Sequence, residues 1–449
     1  MSLKRVIMAV AVRVVDVQLG EEAFRYRTPI KFGGVTLDRA TILNAHVVIE
    51  DRRGRHQVGF GSMPLGNVWA FPSESLSYEQ TLALMQNVAD EAAYITRDHK
   101  QFAHPIELNY ELEPAYLQAG ADRSIPKLAT LVATSPIDAA IHDAYGKLLG
   151  LSSYATYGRE FLFKDVGSFL GKEFADVWIT DHVAGAPVPS LPLYHLVGAL
   201  DALTPDDVAD KVRKDGFPLH LQEWIRRDAL THLKIKLNGD DLKWDVQRVV
   251  DVEESTQAVQ AKQGCSVWHY SLDFNEKCRD VEYLLEFLRK LEAKSPSALS
   301  RVQYIEQPTA RDLKAHPENK MHAVSKRVPV VIDESLVDLE SLQLAREQGY
   351  TGVALKACKG QSTSLLLACA ARHYGMFLCV QDLTCPGASL IHSAGLAAHV
   401  RGVTAIEANA RQYLPAANER WKRSYPGLFE PMMGRLLTGQ LVGPGLGVG

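Results

Sequence analysis

The 449-residue sequence predicts an α/β protein, a (β/α)8 TIM-type barrel preceded by an N-terminal α+β domain. Three observations carry that prediction. Eight short apolar runs alternate with helical stretches between residues 191 and 415. Val- and Ile-rich alternation fills residues 4 to about 60. The chain is also too long for one small core.

Taken in order, RVVDVQL and ILNAHVVIEDRRGRHQVGFG alternate with a period of two, and Arg53-Gly54 marks a hairpin turn between Val48 and Val58. An antiparallel meander follows. The apolar run from Val6 to Val12 is broken by Arg13 with no small-residue cleavage site after it, so it reads as a first strand and not a leader. In RTPIKFGGV, Gly33-Gly34 would serve as a hinge for a segment closing over a ligand, or simply as a turn. From Ser77 the period lengthens, and SYEQTLALMQNVADEAAYI and SPIDAAIHDAYGKLLG read as helices, the second with Ser135 as cap and Pro136 at its first position. Residues 158–190 fit neither pattern and read as an inserted lid or interface loop. The eight runs are LPLYHLV, THLKIKL, SVWHYSLDF, RVQYIEQP, VPVVIDES, GVALKA, MFLCVQD and VTAIEAN. Parallel strands joined by helices close most simply into a ring of eight. The boundaries expected are 1–130 for the α+β domain, 131–190 for a linking helix and insertion, 191–415 for the barrel, and 416–449 for a tail of turns and short strands.

With 49 basic and 53 acidic residues, a net charge of −4, the chain carries no strong field for nucleic acid or an anionic membrane. Six cysteines, all in the C-terminal half, show neither zinc-ligand spacing nor disulfide-scaffold density and read as reduced thiols. No segment has the apolar length of a membrane span. The expectation is a cytoplasmic homo-oligomer whose partner is a small-molecule carboxylate substrate, without nucleic acid or membrane.

In a barrel, the C-terminal strand ends form the active face, so a polar residue closing an apolar run is a candidate site group. Those residues are Lys234 and Lys236 on strand 2, Asp273 on strand 3, Glu306 on strand 4, Asp333 on strand 5 and Lys356 on strand 6. Three carboxylates on consecutive strands repel unless a cation lies between them, and hard oxygens in that number suit Mg²⁺. Strands 2 and 6 are four apart in a ring of eight. Lys236 and Lys356 would therefore face each other across the metal arc, which is the geometry for removing a proton next to a carboxylate. Lys234, together with the dication and partial burial, would lower the Lys236 pKa or touch the substrate carboxylate. Asn275 and Glu334 would orient the ligands. Asp382 and Glu407 close strands 7 and 8 and, with Asn409, would contact the substrate's distal end or serve the structure. His269 reads as a core histidine, and Trp268 and Tyr270 as residues facing the helices.

The set KIK (Lys234, Lys236), LDFN (Asp273), IEQP (Glu306), IDES (Asp333) and ALKACKG (Lys356), with SPIDAAIHDAYGKLLGL and GPGLGVG, resembles the enolase superfamily and its muconate lactonizing enzyme subgroup. The resemblance spans nearly the whole chain. It implies an N-terminal capping domain whose loops close over the barrel, Mg²⁺ on Asp273, Glu306 and Asp333, and acid/base lysines at 236 and 356. Lys356 is preferred to Lys359 because it closes its strand, whereas Lys359 belongs to the following turn. Strand 7 ends in Gln381-Asp382 and strand 6 in a lysine, which argues against the His–Asp branches. Strand 8 reads Glu407-Ala408-Asn409 in place of the Asp-x-Asp of dipeptide epimerases, and Ser62 in GFGSMPL replaces a common Glu.

The expected chemistry is α-proton abstraction from a carboxylate to give a metal-stabilised enediolate, with racemisation or epimerisation first because lysines stand on both faces. Cycloisomerisation of the muconate type and β-elimination by a synthase or dehydratase are the alternatives within the superfamily. A Schiff-base lyase and a non-catalytic metabolite binder are the alternatives outside it.

Overall fold

The structure, a computed structural model, describes residues 10–32, 35–208 and 215–448. The Gly33-Gly34 hinge and the strand expected before residue 10 lie outside them. The meander is present as β1 (Val12–Phe32), β2 (Val35–Asp51) and β3 (His56–Pro64), antiparallel throughout. Val48 pairs with Val58, as the turn at Arg53-Gly54 requires. The segment containing Tyr26 to Phe32 is no loop: β1 continues through it, with a register shift between Arg25 and Ile30.

A short helix, α1 (Asn67–Ala70), leaves β3, followed by α2 (Tyr78–Asp98), α3 (Pro105–Ala121) and α4 (Lys127–Leu149). Ser77 begins α2 with a capping box completed by Gln80. Helix α4 corrects one expectation, since it runs unbroken through Ser135 and Pro136. Pro136 has no N–H to offer the Val132 carbonyl, and the Ser135 hydroxyl donates to it instead at 2.9 Å. The buried surroundings hold the helix together across the proline. Helix α4 lies directly on β3: a Cβ at Gly61 would meet the Pro136 carbonyl oxygen at 1.9 Å, and one at Gly59 the Ala140 oxygen at 2.0 Å. Only glycine permits that approach.

The eight predicted runs form eight parallel strands, β4 (Leu191–Val197), β5 (His232–Lys236), β6 (His269–Asp273), β7 (Val302–Glu306), β8 (Val330–Ile332), β9 (Gly352–Leu355), β10 (Phe377–Val380) and β11 (Val403–Glu407). β11 pairs with β4 and closes the ring. Tyr194, Tyr304, Val331, Ala354, Cys379 and Ala405 fill its interior. Trp268 and Tyr270 are buried outside the ring, both donating to Glu253 of the helix Leu242–Gln263, while His269 at the strand start is half-buried beside the His232 ring.

Residues 158–190 do not roof the barrel. Val183 bridges to Val400, the Ala184 N–H donates to the His399 carbonyl, and Phe174 packs on His373 and Tyr374. Those partners sit at the C-terminal ends of barrel helices, on the face opposite the strand ends that carry the lysines. The tail supplies β12 (Arg435–Leu436), antiparallel to β4, and then reaches α4, where the Leu446 N–H donates to Asp143 at 2.9 Å. Among the described residues, no helix is long and apolar enough to cross a membrane, and the six cysteines are free thiols.

Candidate active site

Hydrogen-bond register sets the site out. Lys236 pairs with Asp273 across β5 and β6, and Asp273 with Glu306 across β6 and β7, so an amine and two carboxylates stand abreast. Period two puts Lys234 on the same inward face, and both lysines are buried. Lys234 Nζ donates to Glu306 Oε1 at 2.8 Å, Gln381 Oε1 at 2.9 Å and Glu407 Oε2 at 3.1 Å, and lies 3.1 Å from Asp273 Oδ2. Burial disfavours its charge, but Glu306, Glu407 and Asp273 outweigh that and hold the ammonium well above the usual lysine range. Lys234 is therefore a fixed cation. Lys236 Nζ donates to Asp273 Oδ2 at 2.5 Å and Asn275 Oδ1 at 3.0 Å.

Turns after the strands aim the acids. Asn275 adopts a left-handed conformation, which Asn tolerates, and its N–H donates to Asp273 Oδ1 at 2.9 Å. Its side chain then bridges Lys236 and Glu334. Gln307 Oε1 accepts from the Asp333 and Ser335 N–H groups at 3.0 and 3.2 Å and so sets the start of the loop after β8. Burial opposes the charge on Asp273, but Lys236 and Lys234 hold the carboxyl far below the usual range. Asp333 is held down to about 2 against its burial by Lys356 and Lys359. Glu306 goes the other way, pushed well up by burial, with Asp273 and Asp333 adding to it and Lys234 offsetting part.

Across the ring, Lys356 Nζ lies 2.8 Å from Asp333 Oδ2, donates to the Asp382 carbonyl at 3.1 Å, and sits 4.2 Å from the centroid of the Trp69 ring. Burial would lower this amine, yet Asp333 prevails and raises it. Lys234 and Lys356 thus both keep their charge against burial, because each is paired with carboxylates. Lys359 does belong to a turn, the 3₁₀ segment Ala357–Lys359, but spacing of three in such a turn stacks it beside Lys356. Its Nζ donates to the Asp333 carbonyl at 2.5 Å and to Oδ1 at 3.2 Å. Burial lowers its pKa. Glu334 accepts from Trp69 Nε1 at 2.8 Å, and burial with Asp333 and Glu276 pushes its carboxyl up to about 7.

On strands 7 and 8, the acids are already spent. Asp382 accepts from the Leu383, Cys385 and Asn409 N–H groups at 2.7 to 2.8 Å. Glu407 accepts from Lys234, the Asp382 N–H and Asn409 Nδ2. These bonds brace both acids, which also line the cavity of the lysines. Asn409, whose Nδ2 faces the carboxylate, has a buried Oδ1 without a hydrogen-bond partner.

Lys234, Lys236, Asp273, Asp333, Lys356 and Asn409 line one narrow cavity under Trp69 and Leu383. Glu306 does not line it and is tied to it through the Lys234 ammonium at 2.8 Å. Glu306 Oε2 and Glu334 Oε2 are buried acceptors with no hydrogen bond, while Asp333 Oδ2 faces Lys356 Nζ at 2.8 Å, and hard oxygens of this kind fit a divalent cation. Among the described residues, no three His, Cys, Asp or Glu side chains stand as a preformed metal cage. Ammoniums lie among the acids, Lys234 beside Asp273 and Glu306, Lys236 beside Asp273, and Lys356 with Lys359 beside Asp333. Sequence reasoning missed Trp69, Gln307 and Gln381 and set Lys359 aside in favour of Lys356. A turn lysine three residues after a strand-end lysine was the available signal for Lys359. Trp69 had none, since it comes from the N-terminal domain.

A model of the enolase C-terminal domain-like family matches residues 218–449. Comparison with curated proteins finds no match. Among solved structures, the chain is similar to a muconate lactonizing enzyme from Pseudomonas fluorescens complexed with muconolactone, at 18% identity and TM-score 0.61, over 97% of this chain and 96% of that one. It is also similar to the L-Ala-D/L-Glu epimerase from Bacillus subtilis, at 17% identity and TM-score 0.59, over 88% and 89%. An enolase from Bradyrhizobium complexed with magnesium and mandelic acid gives 16% identity and TM-score 0.61, over 98% and 97%. At such identities, the likeness is one of fold.

Proposed function

The chain belongs to the enolase C-terminal domain-like family, and from that premise we propose that it is a Mg²⁺-dependent enzyme removing the α-proton of a small carboxylate substrate, a racemase or epimerase first. The observation that carries this reading is the placement of Lys236 and Lys356, four strands apart in the closed ring, on one cavity with Asp273 and Asp333. Asp273, Glu306 and Asp333 would hold the cation, and a cation there would stabilise charge developing on the substrate carboxylate. Lys236 would take the proton from one face of the α-carbon, and Lys356 would return one from the other. Lys234, kept charged by three carboxylates, would balance the buried acids. Trp69 and Leu383 would exclude water.

A second reading, one-base cycloisomerisation or β-elimination, is favoured by one observation. Lys356 Nζ is engaged by Asp333, the Asp382 carbonyl and the Trp69 face together, an arrangement suited to a stationary cation. One experiment separates the two. N-acyl amino acids, dipeptides and muconate-like diacids, each as both enantiomers where chiral, are incubated in D₂O with Mg²⁺ and followed by α-proton NMR. The first reading expects exchange from both enantiomers, abolished by EDTA, by Lys236→Ala and by Lys356→Ala. Exchange from one enantiomer supports the second, and no exchange in any compound sinks both. Imine trapping by borohydride would replace them with a Schiff-base enzyme.

A further inference from the structure

Trp69 belongs to the N-terminal domain, yet it meets four charged residues of the barrel, Arg311, Glu334, Lys356 and Lys359. It sits on α1, which leaves β3 through Gly66 at positive φ, where a Cβ would strike Leu383. Three sides of the residue are fixed. Its carbonyl accepts from Arg311 Nη2 at 3.0 Å, and that guanidinium is held bidentate by Glu276 at 2.5 and 2.7 Å. Its Nε1 donates to Glu334 at 2.8 Å. Its ring face lies 4.2 Å from Lys356 Nζ and 5.8 Å from Lys359 Nζ. An ammonium has three N–H directions, and at Lys356 the indole face takes the one that Asp333 and the Asp382 carbonyl leave.

We infer that Trp69 is the positioning residue for Lys356: the N-terminal domain sets the strand-6 lysine of the barrel by laying an aromatic face against it. The functional weight of this rests on the proton-transfer reading of Lys356, but the contact itself does not. An aromatic wall bolted by Arg311 and Glu334 stays in place, so Lys356 has one position while Asp333 has two amines to serve.

Reductive methylation with formaldehyde and dimethylamine–borane, read by peptide mass spectrometry, measures how freely Lys356 reacts without any substrate. Trp69→Phe, which keeps a π face, should label at the slow wild-type rate. Trp69→Leu, which fills much of the space without one, should label roughly tenfold faster, between the exposed and the fully desolvated strength of a cation–π contact. Equal rates in all three overturn the inference. Should the Leu variant not fold, Lys356→Met decides: it should change the tryptophan emission of the wild-type background and leave that of Trp69→Phe unchanged, and no change in the wild type overturns the inference. For any carboxylate that exchanges its α-proton, Trp69→Leu should lower kcat about tenfold with little change in KM, and Trp69→Phe should restore it. An unaltered kcat in Trp69→Leu overturns the positioning role. If no carboxylate exchanges, the proposed function fails while labelling and emission still decide the contact.

Discussion

Lys234 is a buried ammonium touching Glu306, Glu407, Asp273 and Gln381. Removing one partner of a buried ion pair strands the other's charge, at a cost of about 3–5 kcal/mol. Lys234→Met should therefore lower the unfolding free energy measured by urea denaturation by about 3–5 kcal/mol. Adding Glu306→Gln should recover part of the loss, since the two share one network. A double variant no more stable than the single one would remove Lys234 from this role. The same lysine shows what a sequence can disclose about a site. Lys234, Lys236, Asp273, Glu306, Asp333 and Lys356 were legible because each interrupts or closes an apolar run, and a strand has only two faces. Gln307 and Gln381 were not, because their amides act across space on backbone groups and on Lys234, and nothing local marks that.

Among the elements, the pair β3 and α4 joins the two halves of the fold. Their backbones meet at Gly59 and Gly61, where helix carbonyls stand in the space a side chain would need. Gly61→Ala should destabilise by about 1–3 kcal/mol, the usual cost of forced overpacking. Gly20→Ala, where nothing lies within 4 Å, should stay within about 0.5 kcal/mol. Thermal melts of the two variants check this, and equal losses would refute it. All eight barrel strands could be read from the chain because short β-rich runs were separated by helical spacers. The start of α4 could not: Ser135-Pro136 is a sound cap in isolation, and only burial of the surrounding helix overrides it. Residues 158–190 could be set apart from both patterns but not placed, because their position depends on contacts with His399, His373 and Tyr374 far along the chain.

At the scale of the whole molecule, buried histidines in both parts set an acid limit. Burial first of all depresses His104 and His392 to about 3, and His232 and His399 to about 4. Each is neutral when folded and takes a proton near 6.5 when unfolded. Between those values the unfolded chain binds more protons, so stability rises with pH. The contribution is complete above about 6.5 and is lost as pH falls through about 4. Urea midpoints from pH 4 to 7 should climb, and His399→Phe, which keeps the stack on Tyr154 at 3.8 Å, should flatten the climb by about 3 kcal/mol at most. An unchanged slope would exclude that residue. The closed ring has a further consequence. Lys236, Asp273 and Glu306 are spaced by the peptide ladder itself, about 4.8 Å per rung, and a cylinder without ends offers no place for a rung to slip. Loops around it can lengthen, shrink or be exchanged, and the reacting groups will keep the same pitch, because the ruler that measures their separation is main chain.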